Sequence, residues 1–309
     1  MTRRFVSLFV ILCFAAIPAW AQVAPFNEAG VAAGHEHLTT VNQEAFNTFW
    51  TAIGGIQQPM APGGNTQIIK FPGVVLMAAN AGGRGGRGGG GARGGPGGAP
   101  GGAAPAPATP AAPAAPAAPP APPASSVGSS IDYLGFKVKD LKGTLAKLAA
   151  LNIQPMPGAA AKQAFVMSPD NLKVGLKEDT ALATAAASDE VMEKVPSVAE
   201  ASAWYAKWFG AKIVKDGNDT IAQIPGVNIR FSETKEAMAP TQGRALDHLG
   251  MEVRNLEAFM TKMAAGGVNV ASGYRGLAPT QIPPLTSLGF IVDPWGTRIE
   301  LNEGFKDVK

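Results

Sequence analysis

Leu246-Asp247-His248-Leu249-Gly250-Met251-Glu252-Val253, followed by Asn255-Leu256, has a near copy at Ile131-Asp132-Tyr133-Leu134-Gly135-Phe136-Lys137-Val138, followed by Asp140-Leu141. Each stretch reads as a short strand of alternating character that runs into a helix. In the helix after the first, Leu256, Phe259, Met260 and Met263 recur at i, i+3, i+4 and i+7, which is one apolar stripe. Leu141, Leu145 and Leu148 do the same after the second. Two further units begin near His35 and Glu190. Their helices carry Phe46, Phe49, Trp50 and Ile53 in one case, and Val198, Ala201, Tyr205 and Phe209 in the other. They stop at Gly54-Gly55 and at Gly210. The strands that follow contain Pro72-Gly73-Val74 and Pro225-Gly226-Val227. Outside one low-complexity tract, the chain is a fourfold repeat of strand, helix and two or three strands.

That tract absorbs most of an unusual composition, 38 Gly and 26 Pro in 309 residues. It runs from Asn80 to about Ser130: residues 82–102 are almost all Gly, with Arg84, Arg87 and Arg93, and residues 103–124 alternate Ala and Pro. Such sequence has no large apolar side chains to bury and does not recover the entropy of ordering its backbone. It reads as a disordered linker, coil-like in its Gly half and stiffer in its Ala-Pro half. An Arg-Gly-Gly segment can also contact RNA or an anionic polymer, but three arginines are few and the inert linker is preferred.

At the N-terminus, Arg3-Arg4, an apolar run from Phe5 to Pro18 and Ala19-Trp20-Ala21 form a secretory signal pattern over residues 1–21. A periplasmic or secreted protein is expected, with no membrane attachment after cleavage, because the apolar run is shorter than a bilayer span. Cys13 is the only cysteine and lies in this leader. The mature chain therefore has no disulfide, thiol nucleophile, Cys-zinc site or iron–sulfur cluster. Lys and Arg number 26 against 23 Asp and Glu, and the leader removes only two of the basic residues. A near-neutral chain is not expected to take nucleic acid as its partner.

The four units resemble the vicinal oxygen chelate superfamily, which includes glyoxalase I, extradiol dioxygenases and the bleomycin- and fosfomycin-resistance proteins. The most specific stretch is the last unit, opened by Asp247-His248-Leu249-Gly250 and closed by Phe290-Ile291-Val292-Asp293-Pro294-Trp295-Gly296-Thr297-Arg298-Ile299-Glu300-Leu301. The resemblance covers nearly all of the chain outside leader and linker. It implies an α+β fold of tandem βαβββ modules paired into two glyoxalase-like half-barrel domains. The first would span residues 31–180, interrupted by the linker at 80–130, and the second residues 186–305. It also implies a divalent metal at the base of a cup, held from the first and last strands of the units, which chelates two neighbouring oxygens of a small-molecule substrate.

Physics alone reads Asp293-Pro294-Trp295-Gly296 as a tight turn. In the strand after it, Ile299 and Leu301 share one face while Arg298, Glu300 and Asn302 share the other. The strand pattern by itself favours an exposed Glu300 and a half-buried structural His248; the resemblance makes both of them metal ligands. At the other two ligand positions the sequence departs from the family. Glu190 stands where a histidine is usual, and Arg230 stands where glyoxalase I has its second carboxylate.

The ligand set expected from the resemblance is thus Glu190, His248 and Glu300 in a C-terminal cup, with Glu190 and Glu300 as catalytic carboxylates. Iron, manganese, zinc, nickel and cobalt all suit it. Arg230 would bind a substrate carboxylate or phosphate. In the N-terminal half His35 or His37 fits the opening histidine, but the matching positions elsewhere are Met77, Tyr133 and Gly175, so His35, His37 and Tyr133 make only a weak site. His35, Glu36 and His37 form, alternatively, a surface metal or proton site. Tyr274 and Arg275 lie in a segment between Ser272 and Thr286 that reads as a substrate-contacting lid or as an ordinary polar loop.

Three functions fit these residues: a metal-dependent lyase or isomerase, a non-catalytic binder of a small molecule, and a protein whose cups have decayed to a structural role. A dioxygenase is less favoured, because its usual ligands are two histidines and one carboxylate and Glu190 replaces the first histidine. The sequence leaves the oligomeric state open.

Overall fold

The computed structural model describes residues 24–59, 66–80, 121–158, 160–278 and 285–305. The leader and Arg84, Arg87 and Arg93 lie outside them. The first unit comprises β1 (Val31–Thr40), α1 (Gln43–Ile53), β2 (Ile56–Gln57), β3 (Thr66–Phe71) and β4 (Val74–Asn80). The second comprises β5 (Ile131–Val138), α2 (Leu141–Ala150), β6 (Gln163–Met167) and β7 (Lys173–Glu178). The third has β8 (Ala186–Val195), α3 (Val198–Phe209), β9 (Lys212–Asp216), β10 (Asp219–Ile224) and β11 (Val227–Glu233). The fourth has β12 (Leu246–Val253), α4 (Leu256–Ala265), β13 (Asn269–Gly276), β14 (Ser287–Val292) and β15 (Arg298–Glu303).

Every helix starts in the same way. Asn42, Asp140, Ser197 and Asn255 each accept a hydrogen bond from the backbone N–H three residues on, which satisfies one of the free donors of the first turn. The apolar stripe of each helix then packs into a core, with Leu145, Val198 and Phe259 partly buried at its margin.

The sheets do not join the first unit to the second and the third to the fourth, and this corrects the expected division into an N-terminal and a C-terminal cup. The eight-stranded sheet runs β13-β14-β15-β12-β1-β4-β3-β2, so it joins the fourth unit to the first. The seven-stranded sheet runs β6-β7-β5-β8-β11-β10-β9 and joins the second to the third. In each sheet two opening strands pair antiparallel at the centre, β1 with β12 and β5 with β8.

The hydrophobic cores follow the other partition. One packs α1 and α2 with the helix-side residues of the first two units, around Phe46, Trp50, Phe71 and Phe136. The other packs α3 and α4 with the last two units, around Tyr205, Phe209, Met260 and Ile299. Each Pro-Gly-Val turn then bonds to the opposite sheet: Pro72 accepts from the Ser188 N–H at 2.9 Å, and Pro225 from the Ala33 N–H at 2.8 Å.

The expected linker is also shorter at its end than the composition suggested. Residues 121–130 pack into the fold: Ser126, Ser129 and Ser130 are buried, and Ala124 and Ser129 bridge to Arg244 and Ala239. No helix among the described residues is long and apolar enough to cross a membrane.

Candidate metal centre

The face of each sheet that turns away from the helices carries the polar side chains. On β1 the alternation sends Leu38 into a helical core and leaves His35 and His37 on the other face. On β12, Leu249 and Met251 go to the cores, and His248 and Gly250 face the cup. On β15, Ile299 and Leu301 go inward and Glu300 joins the histidines. The registers place His37 opposite His248, His35 opposite Gly250, and Gly250 beside Glu300. Four side chains from the two ends of the chain thereby meet.

The glycine of Asp-His-Leu-Gly has a steric reason. A Cβ on Gly250 would collide with the His35 ring, at Cε1 and Nδ1. In the other sheet Gly135 faces Glu190 in the same relation, and a Cβ there would lie 2.8 Å from the Glu190 Cγ. The repeated glycine clears room for the side chain that the opposing first strand points into the cup.

His35, His37 and His248 each bring a ring nitrogen within 4.8 Å of the others. His248 Nε2 lies 3.1 Å from Glu300 Oε2. That nitrogen and His35 Nδ1 are nevertheless buried without a hydrogen-bond partner. Orphaned imidazole nitrogens beside a buried carboxylate are costly unless something completes them, and a divalent cation fits this donor set. Burial pushes His35 down to about 4 and His37 to about 3, so both are neutral, as ligands must be. Burial works against the Glu300 charge, but the His248 contact and the nearby histidines win and hold it at about 2. Burial likewise opposes charge on His248, yet Asp247 and Glu300 raise its pKa. A metal would take the place of that proton.

Behind the ring, Asp247 Oδ1 sits 2.6 Å from His248 Nδ1, leaving Nε2 for the cup. Asp247 is fixed in turn by the Arg298 guanidinium and the Gly243 N–H, both at 2.7 Å. Phe290 stands edge-on to His248 at 5.3 Å between centroids, and Phe305 lies over His35 at 5.1 Å. Phe305 is held by its N–H bond to the buried Glu252 carboxylate. Val75, Leu285 and Phe305, with Met77 and Ile68, give this cup an apolar wall.

The second cup has the same frame and different chemistry. Glu190 accepts from Tyr133 Oη at 2.8 Å and from Arg230 Nε at 2.6 Å. The other two arms of the Arg230 guanidinium donate to Asp219 and Asp216 at 2.8 and 2.7 Å. A cavity of about 280 Å³ opens here, lined by Tyr133, Phe165, Gly175, Glu190 and Arg230 among others. Arg230 supplies the positive charge that faces Glu190 in this cup.

No protein-family model and no curated relative matches the sequence. Solved structures match throughout. Glyoxalase I from Zea mays superposes with a TM-score of 0.60 at 11% identity, over 90% of this chain and 94% of that one. A dioxygenase candidate from Bacillus subtilis subsp. subtilis str. 168 gives 0.55 at 11% identity, over 92% and 86%. The fold is that of the vicinal oxygen chelate proteins. Identities this low establish the fold alone.

Within the vicinal oxygen chelate fold the expected site residues are redistributed. His248 and Glu300 come together as expected, but their companions are His35 and His37. Glu190 belongs to the other sheet and is tied to Tyr133 and Arg230, so the set Glu190–His248–Glu300 does not form. Tyr133 is there as well, away from the histidines. Each of the three Arg230 nitrogens already meets a carboxylate, so a substrate anion there would have to compete with Glu190, Asp216 and Asp219. Tyr274 and Arg275 lie on the edge strand β13 and are exposed, instead of forming part of a loop; residues 279–284 are outside the described ones. Asp247, Arg298, Phe290 and Phe305 had no role in the sequence reading. Only the adjacency of Asp247 to His248 could have signalled one.

Proposed function

We propose that this chain is a metal-dependent enzyme of the oxygenase type, with a divalent metal held by His35, His248 and Glu300 in the cup of the eight-stranded sheet. The observation that carries the reading is the meeting of two buried imidazole nitrogens, His35 Nδ1 without a hydrogen-bond partner and His248 Nε2 at 3.1 Å from Glu300, with one buried carboxylate. Two histidines and one carboxylate with open positions suit ferrous iron, which when bound activates oxygen and a chelating substrate. Glu190, whose replacement of the first histidine would disfavour an oxygenase, lies in the other cup.

The chain's own residues do the positioning. Asp247 orients His248, Gly250 makes room for His35, and Phe290 and Phe305 form apolar walls that keep water from the substrate. His37, stacked on His248 at 4.6 Å, stands where it can hydrogen-bond a substrate oxygen. A glyoxalase-type isomerase needs a base beside the substrate carbonyl, and Met77 occupies the strand position where that fold's second carboxylate was expected. The leader reads as an export signal, which takes cytosolic thiol adducts off the substrate list.

The test is metal content of the full chain after incubation with iron, manganese, zinc, nickel or cobalt, followed by oxygen uptake with aromatic diols. One metal per chain is expected, lost in His35→Ala, His248→Ala and Glu300→Gln and kept in Glu190→Gln. Metal that survives His35→Ala, or disappears in Glu190→Gln, overturns the assignment. Bound metal with 2-oxoaldehyde turnover and no oxygen uptake would instead establish the isomerase, and bound metal with neither a binder.

A further inference from the structure

We propose that Arg298 is the anion-binding residue of the metal cup, so that the substrate carries a carboxylate close to its chelating oxygens; this rests on the metal reading above. Arg298 lies two residues before Glu300 on β15, on the same face of the strand. One guanidinium arm donates to Asp247 Oδ1 at 2.7 Å, and the guanidinium carbon lies 4.0 Å from the centroid of the Phe290 ring. Phe290 is the ring that stands edge-on to His248. The cation is therefore held in place on the cup wall by a carboxylate on one side and an aromatic face on the other.

No other side-chain hydrogen bond of Arg298 exists among the described residues, and its side chain keeps 19% of its surface exposed. The remaining N–H groups are thus rigidly aimed and unclaimed by acceptors among the described residues. Arg230 supplies the contrast within the same molecule. Its three nitrogens each meet a carboxylate, which leaves it a structural cation. Arg298 meets only one. A planar fork with spare donors, immobilised in a partly desolvated wall, recognises a planar oxyanion, and a carboxylate matches it with two parallel bonds. The stacking on Phe290 fixes the plane in advance, so little entropy is lost on binding.

The test uses the full chain loaded with ferric iron and titrates two probes, 3,4-dihydroxybenzoate and its methyl ester, by the catecholate-to-iron charge-transfer band. The acid is expected to bind at least about tenfold more tightly than the ester, the scale of one charge-assisted contact. In Arg298→Gln the ratio should fall to about one, and Arg298→Lys should keep part of it. Because Arg298 also steadies Asp247, both variants can weaken the metal; the ratio within each variant cancels that change. A strong band with equal binding of acid and ester in the wild type overturns the anion site and leaves the metal reading intact. No band with either probe overturns the metal reading and the anion site with it.

Discussion

Glu36 lies between His35 and His37 but points the opposite way, into the packed middle of the molecule. Its carboxyl is 5% exposed, makes no hydrogen bond among the described residues, and borders a cavity of only about 10 Å³ lined by Gly73, Val74, Gly226, Val227 and Leu249. The same place in the other units holds Leu134, Val191 and Leu249. Burial alone pushes its pKa from 4.5 to about 8. Below pH 4.5 both folded and unfolded chains carry the proton, and burial has no ionisation cost. As pH rises the unfolded chain releases the proton and the folded one retains it, so stability falls until the folded group ionises near 8. At about 1.4 kcal/mol per unit this interval amounts to roughly 5 kcal/mol, with about 3 kcal/mol already lost at pH 7. Glu36→Leu fits the volume and removes the titration. Urea unfolding of metal-free protein at pH 5, 6, 7 and 8 should show the variant gaining on the wild type by about 1.4 kcal/mol per unit. Contributions from the histidines cancel in that difference. Parallel stability curves, or a variant that loses ground towards pH 8, would refute a neutral, unpartnered Glu36.

Gly250→Ala should displace the His35 ring and weaken metal binding at least about tenfold by equilibrium dialysis, whereas Gly273→Ala, whose Cβ would meet nothing within 4 Å, should leave it unchanged. Arg230→Met strands Glu190 and should cost about 3 kcal/mol in chemical denaturation; adding Glu190→Gln should recover part of this, and metal content should not move in either variant. Tyr205→Phe removes the buried hydroxyl that donates to Asp293 at 3.1 Å, and a loss of about 1–2 kcal/mol in the same assay is expected. No loss would mean that the three donors left to Asp293 and Glu193, the Trp295 and Thr297 N–H groups and the Thr297 hydroxyl, suffice.

The units and their helices are legible because each is specified locally. The stripe Phe46, Phe49, Trp50, Ile53 and the cap at Asn42 sit within a dozen residues, and so do their counterparts in the other units. The strand alternation around Arg298–Asn302 makes the face of Glu300 legible for the same reason, but the pattern alone favours an exposed Glu300 and a structural His248, and only the resemblance marks the two as ligands. What a local reading misses is the partner of each opening strand. β12 can pair with β8 or with β1 without any change in its own pattern, and the choice decides whether Glu190 or His35 meets His248. The character of Arg230 was hidden in the same way. Its neutralising carboxylates, Asp216 and Asp219, lie on the neighbouring hairpin, where nothing in the sequence marks them as partners of a cation.

The two partitions of the molecule let one cup carry a histidine cluster while the other carries an arginine–carboxylate cluster. The helical cores centre on the first and second units and on the third and fourth, while the sheets join the first to the fourth and the second to the third, so every unit is held by two different partners. The different side chains on the cup face of the second and third units leave their cores with the first and fourth intact, and Arg230 pairs there with Glu190, Asp216 and Asp219. The histidine cup is assembled from β1 and from β12 and β15, the opening and closing strands of the described fold. Its geometry therefore depends on the pairing of β1 with β12 and of β12 with β15. A ligand set drawn from strands this far apart has little chance of forming in the unfolded chain, so metal bound there acts on the complete fold, and its binding free energy adds to the stability of both cores.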